Sequence, residues 1–178
     1  MRIVGGEYRG RMFNPGKNFK ARPTTDFAKE GLFNVLANVI DFEDAKILDL
    51  FSGTGSISYE FLSRGCKDLT LIELDFQHIQ FIKSVMRELN AVAKVYRADV
   101  FKFLESEKTK YDLVFADPPY DLPRFAEVPE IILRRNLIKP GGIMVIEHPK
   151  SFNFSNLPHF SEVRKYGSVH FSLFKGFE

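Results

Sequence analysis

Asp117-Pro118-Pro119-Tyr120 carries more chemistry than any other stretch of this chain. Consecutive prolines remove two backbone donors and fix two φ angles, so the Asp117 carboxylate and the Pro118 carbonyl can form an acceptor array with no competing N–H. Such an array fits the planar exocyclic amine of a nucleobase. The amine is a poor nucleophile because its lone pair is delocalised into the ring. Accepting both of its hydrogens out of plane favours a more tetrahedral nitrogen, which can attack a sulfonium methyl in line. Tyr120 supplies a ring on which the base stacks, with Pro119 completing the rigid turn. The structural alternative is a strand that ends at a proline turn capped by Asp117.

A second group surrounds Asp49-Leu50-Phe51-Ser52-Gly53-Thr54-Gly55-Ser56-Ile57-Ser58. Glycines at this spacing let a backbone turn tightly and approach a ligand at a helix N-terminus. Glu73 follows some twenty residues later at the end of the next apolar run, where a carboxylate can accept from both ribose hydroxyls of a nucleoside cofactor. Dinucleotides and S-adenosylmethionine both fit that pair. A pyrophosphate site usually has a third glycine, but Ser58 stands there, and Asp49 beside the turn suits an ammonium better than a pyrophosphate. These residues favour S-adenosylmethionine. Asp99, in Arg97-Ala98-Asp99-Val100, can reach an adenine amino group or cap the helix that begins at Val100.

The elements that position these groups are read from hydrophobic periodicity. Residues 1–13 read as two short strands around Gly5-Gly6, a β-hairpin extension, followed by a loop. A helix capped by Thr25 or Asp26 runs to near Asp41. Strands at 47–51, 69–74, 93–97, 111–116 and 143–147 alternate with helices after the glycine turn, after Asp75 and at 100–104. Residues 124–138 read as helical with an interruption at Pro129, and 162–174 as an antiparallel hairpin around Gly167-Ser168. Repeated strand-helix-strand units imply a doubly wound α/β domain with a parallel sheet, whose ligands bind at the carboxyl ends of the strands.

The overall charge is +2, but it is unevenly distributed. Residues 1–22 carry Arg2, Arg9, Arg11, Lys17, Lys20 and Arg22 against Glu7 alone, whereas the remaining 156 residues hold 19 basic and 22 acidic side chains. The basic end suggests an acidic partner such as nucleic acid, with Phe13 and Phe19 among the cations as candidate base-stacking rings. A single cysteine, Cys66, excludes a disulfide framework, and the four histidines have no metal-ligand spacing, so no metal is expected. His148 reads as an edge or solvated residue. No stretch free of Asp, Glu, Lys and Arg exceeds eleven residues, far short of the roughly 20 that cross a bilayer, so no membrane partner is expected and the cytoplasm is the default.

Arg22-Pro23-Thr24-Thr25-Asp26, Leu32-Phe33-Asn34, Asp49 to Gly55, Ser63-Arg64-Gly65, Ile72-Glu73 and Asp117 to Tyr120, in this order over nearly the whole chain, resemble the bacterial RsmD-type methyltransferases. The resemblance implies a seven-stranded Rossmann-like methyltransferase sheet at 23–178 and a basic RNA-facing extension at 1–22. It implies methyl transfer from S-adenosylmethionine to the N2 amine of a guanine in 16S rRNA, free or in the small subunit, by a monomer. Asp49, Phe51, Gly53, Gly55, Glu73 and Asp99 map to the cofactor site and Asp117, Pro118, Pro119 and Tyr120 to catalysis, with Arg9, Arg11, Lys17, Lys20 and Arg22 toward RNA. Ser58 and Phe27-Ala28-Lys29 depart from the family pattern; the first is expected to affect helix packing only. DNA adenine-N6 or cytosine-N4 methylation, a dinucleotide-dependent hydride transfer and a non-catalytic RNA-binding role are the alternatives.

Overall fold

The computed structural model describes residues 1–16, 19 and 24–178. Its apolar runs form the strands β1 (Lys46–Leu50), β2 (Asp68–Glu73), β3 (Lys94–Arg97), β4 (Tyr111–Ala116), β5 (Ile138–His148), β6 (Phe160–Tyr166) and β7 (Val169–Phe174). They lie in one sheet in the order β3-β2-β1-β4-β5-β7-β6. The first five are parallel, while β7 runs antiparallel between β5 and β6, the closing hairpin read from the sequence. Each parallel strand returns through a helix, so both faces of the sheet are covered.

One face buries Ile47, Leu113, Phe115, Val145 and Phe171 against α1 (Asp26–Leu36), α2 (Ser56–Ser63) and α3 (Phe76–Leu89). The other buries Leu48, Leu50, Val114, Ala116 and Ile146 against α4 (Val100–Ser106) and α5 (Glu127–Arg134). Polar caps set the helix starts. Thr25 Oγ1 accepts from Ala28 N, Asp75 Oδ1 from Gln77 N and His78 N, and Asp99 Oδ1 from Lys102 N. Among the described residues no helix is long and apolar enough to cross a membrane.

The amino-terminal segment doubles back on itself as expected, residues 1–3 bonding to 10–13, but it forms a bridge and not two full strands. It folds back through a single antiparallel bridge, Arg2 with Met12, and residues 5–10 are turns and bends. The turn between its two arms finds further partners on α2. Ser63 O accepts from Glu7 N at 2.6 Å, and Ser63 Oγ accepts from Tyr8 N and donates to Gly5 O. Gly6, at φ 74°, has no room for a side chain, because a Cβ would lie 1.9 Å from the Ser63 carbonyl oxygen. Ile3 and Phe13 are buried in the main core, so the segment is packed into the domain at both ends.

Other differences are local. The helix α1 stops at Leu36, before Asp41, and its last turn closes through Ala37 N to Phe33 O. Pro129 does not interrupt a helix. It lies in the first turn of α5, where its missing N–H has no intrahelical acceptor to lose. The strand β5 begins at Ile138 and passes through Gly141-Gly142 with a register shift against β4, instead of starting after the glycines.

Candidate active site

The two sequence motifs meet at the carboxyl ends of neighbouring strands. Leu50 of β1 is in register with Ala116 of β4, and the Asp117 N–H donates to Leu50 O at 3.3 Å. The glycine turn and the proline turn therefore leave the sheet side by side, on the rim where parallel sheets bind ligands.

The glycine turn is built from left-handed backbone at Phe51 (φ 58°), Gly53 (φ 54°) and Gly55 (φ 84°). Gly55 is the N-cap of α2, and a Cβ there would lie 2.6 Å from the Tyr59 ring, whose hydroxyl donates to Thr54 O. Ser52 N donates to Ile72 O, which ties the turn to β2. Glu73 completes it. Its Oε2 accepts from Gly53 N at 2.7 Å and its Oε1 from Leu74 N and Asp75 N at 2.8 Å, so the carboxylate is held rigidly at the mouth of the turn. Phe51 meets Phe101 edge to face and forms an apolar wall, and Asp99 sits behind it as the cap of α4.

These residues fit an adenosyl cofactor. A fixed carboxylate stands where ribose hydroxyls would donate, with backbone close enough to approach a ligand. The Ser56 hydroxyl oxygen, at the first residue of α2, is buried and makes no hydrogen bond among the described residues.

Asp49 lies beneath the turn, 1% exposed, with Oδ2 accepting from Ser58 Oγ at 2.5 Å. Burial pushes its carboxyl up to about 7. The Ser58 bond opposes this in part and the Glu73 charge adds to it. Ser58 thus does more than pack a helix, since it touches the carboxylate of the site. Folded Asp49 retains a proton that the unfolded chain releases from 3.8 upward, so its contribution to stability falls as pH rises toward about 7. Asp49→Asn, measured by denaturant unfolding above neutral pH, is expected to gain on the order of 2 kcal/mol while losing cofactor affinity. Equal stability and unchanged affinity would remove Asp49 from the site.

Asp117 is half-buried, Pro118 is buried, and Pro119 and Tyr120 are exposed. The Tyr120 ring meets Phe125 edge on at 6.5 Å. The Asp117 carboxyl is held well above the usual carboxylate range, first by burial and then by the charges of Glu147 and Asp49. Glu147 was not anticipated from the sequence. It lies on β5, which pairs with β4 through Ala116–Ile146, and its Oε2 accepts from Thr24 Oγ1 at 3.1 Å. An acid ending an otherwise apolar strand, Ile143 to Glu147, was the signal available for it.

The candidate RNA contacts are not gathered here. Arg9 lies on the exposed turn beside Ser63, at the end of α2 away from the glycine turn, and Arg11 pairs with Glu88 of α3 at 3.0 Å. Lys17, Lys20 and Arg22 lie outside the described residues. Phe13 cannot stack on a base, because it is buried against Tyr59, and Phe19 stacks on His78. His148 is neither at an edge nor solvated. It is 2% exposed between Ser172 Oγ and Pro149 O, where the hairpin covers it. Cys66 is a buried free thiol.

Comparison with known proteins gives a consistent set of likenesses. A family model described as "Conserved hypothetical protein 95" matches residues 1–175. The protein named "Putative rRNA methyltransferase YlbH" of Bacillus subtilis is 33% identical over 155 residues, 84% of this chain and 83% of that one. Among solved structures, "Putative methyltransferase yhhF from Escherichia coli" superposes with a TM-score of 0.84 at 31% identity, over 99% of this chain and 97% of that one. The Thermus thermophilus "16S rRNA N2 G1207 methyltransferase (RsmC) in complex with AdoMet and Guanosine" superposes at 0.68 over 88% of this chain and 44% of its own; at 17% identity that likeness is one of fold.

Proposed function

The chain belongs to the RsmD-type family, whose model is described as "Conserved hypothetical protein 95", and on that premise we propose that it transfers a methyl group from S-adenosylmethionine to the exocyclic N2 amine of a guanine in 16S rRNA. The observation that supports this most is the Asp117 N to Leu50 O bond, which sets the proline turn beside the glycine turn. The cofactor, when bound, supplies an electrophilic methyl on a sulfonium. Glu73 takes the ribose hydroxyls, Asp49 the ammonium, and Phe51 and Asp99 flank the adenine. Asp117 and the Pro118 carbonyl accept the two amine hydrogens and turn the nitrogen lone pair toward the methyl, while Tyr120 stacks on the guanine and excludes water. Once the methyl has moved, the ammonium nitrogen loses a proton to Asp117 or to water.

Residues 1–22 act as an RNA-facing extension of the methyltransferase domain at 23–178. Residues 4–8 of it are bound to α2 through Glu60 and Ser63, next to Arg9. One chain suffices for the site. Purified protein, labelled cofactor and four substrates test the reading: naked 16S rRNA, assembled small subunits, plasmid DNA and single-stranded DNA. Label on a guanine N2, located by mass spectrometry of rRNA fragments, is the expected result. Label on DNA amines alone, or RNA retention without any label, rejects it.

Arg9→Ala is expected to flatten the dependence of log affinity for RNA on log salt by about 0.7–0.9, the share of one phosphate contact. Arg11→Ala is expected to change it less, because Glu88 already neutralises that side chain. An unchanged slope in the Arg9 variant counts against the extension as a phosphate-binding element.

A further inference from the structure

A polyanion whose base enters the cleft must be held beside it, at the carboxyl ends of the parallel strands. Arg9 lies at the end of α2 away from the glycine turn, and Arg11 pairs with Glu88 in the last turn of α3, so neither reaches that rim. The β6–β7 hairpin does. Because β7 runs antiparallel to β5, the end of β6 and the start of β7 stand at the same end of the sheet as Asp117. His148 of β5 is in register with His170 of β7, and His170 with Lys165 of β6, so Lys165 and His170 project from one face directly opposite each other. Lys150 follows β5 by two residues. Burial first, and then the charges of Lys165 and Lys150, hold the His170 imidazole below its ordinary value, which places both ammonium groups near the ring. Both lysines are exposed, and neither pairs with an acid among the described residues. Glu162, the only acid between His148 and Phe174, is bonded to Arg164 at 2.7 Å and to Lys175 at 3.4 Å.

A run of rings ties this group to the proline turn. Tyr120 meets Phe125 at 6.5 Å, Phe125 stacks on Phe152 at 4.1 Å, and Phe152 lies 6.1 Å from Phe154. His148 then bridges Phe154 at 5.2 Å and His170 at 5.8 Å. The distance from Tyr120 to the cations is therefore fixed by packed side chains. Lys165 stands three strands from β4, about 14 Å at ordinary strand spacing. That is the length of about four stacked nucleotides, or of fewer extended ones.

We propose that Lys150, Lys165 and His170 form a docking site for the phosphates of single-stranded RNA next to the guanine held at Tyr120. The proposal rests on the rRNA reading above and adds a surface on the side of β4 opposite the glycine turn. The two ammonium groups neutralise phosphates and the imidazole N–H donates to one, while a ring at the near end takes a base, the combination that holds single strands. Contacts of this kind set the register of the strand and leave the choice of base to the cleft.

The test measures binding of naked 16S rRNA and of assembled small subunits across a salt series, for the wild-type protein and two double variants. Lys150→Ala with Lys165→Ala removes two phosphate contacts, which should flatten the dependence of log affinity on log salt by about 1.4. Between about 50 and 200 mM salt the wild-type protein should then lose about sevenfold more affinity than the variant. Lys108→Ala with Lys110→Ala removes the same charge from exposed positions before β4, at the opposite end of the sheet, and should leave the slope as it was. Affinity for S-adenosylhomocysteine should be kept in both, which separates a lost RNA contact from a damaged fold. Equal slopes in the wild-type protein and the Lys150 and Lys165 variant, or equal flattening in both double variants, overturn the proposal. A loss confined to assembled subunits, with naked rRNA bound normally, means that the hairpin meets a protein and overturns it as well. Wild-type protein that neither retains nor labels rRNA rejects the function itself, a result distinct from label on rRNA with an unchanged slope.

Discussion

Asp117→Ala is expected to lower methyl transfer by roughly a hundred- to a thousand-fold or more, the scale on which removing one preorganised polar partner of a transition state acts. Affinity for S-adenosylhomocysteine should stay near the wild-type value, because Glu73 and the glycine turn are untouched and the Asp117 backbone bond to Leu50 survives. Stability should not fall either, since the substitution removes a carboxyl that burial and two like charges disfavour. Asp117→Asn keeps one acceptor oxygen but loses the negative charge and the ability to take a proton, so it should lose activity to a smaller degree. The combination to measure is a collapsed kcat with normal ligand binding and an unchanged or higher melting temperature. Near-normal turnover in both variants would remove Asp117 from the chemistry.

The largest effect on stability is expected from Glu60. This side chain, fully buried in α2, accepts from Val4 N at 2.8 Å and pairs with Lys29 at 3.1 Å and Arg64 at 2.5 Å. Lys29, 1% exposed, also donates to the Arg2 carbonyl, and the Arg64 guanidinium lies over the Phe33 ring. Glu60→Ala would leave the Lys29 ammonium buried without its carboxylate, at a cost of about 3–5 kcal/mol. That is a large fraction of the roughly 5–15 kcal/mol that holds a domain together. Thermal unfolding should show the loss directly, and hydrogen exchange should show residues 3–13 opening first. Pairing Glu60→Leu with Lys29→Met should recover much of the stability, because the two charges then disappear together. A loss below about 1 kcal/mol in Glu60→Ala would mean that water already reaches this group.

Legibility from sequence tracked how local the signal was. Thr25, Asp75 and Asp99 cap their helices as read, and Asn90 ends α3 in left-handed geometry at φ 52°. Each of these is set by a few neighbouring residues. The meeting of Asp49 to Gly55 with Asp117 to Tyr120 was also readable, because parallel strands separated by helices place their carboxyl ends on one rim. Contacts remote in sequence were not. Thr24 and Glu147 are 123 residues apart, and nothing in either segment reports the bond between them. The amino-terminal segment doubles back as its apolar pattern around glycines suggests, residues 1–3 bonding to 10–13, but the docking of its turn on Ser63 is a contact that neither segment reports. Phe13 and His148 were misjudged for the same reason: exposure depends on what a distant segment lays over a residue. Pro129 was read as a breaker, although at the start of a helix the same ring is tolerated.

The helix α2 is eight residues long, a rod of about 12 Å. One end of it forms the glycine turn and the other clasps residues 5–8 through Ser63. Trimming the chain back to residue 14 would therefore do more than strip cations from a surface. It would open a void where Ile3 and Phe13 sat, leave Lys29 and Glu60 short of backbone partners, and loosen the strut that fixes the glycine turn. Point neutralisation of Arg9 isolates electrostatics, whereas truncation mixes electrostatics with the stiffness of a lever.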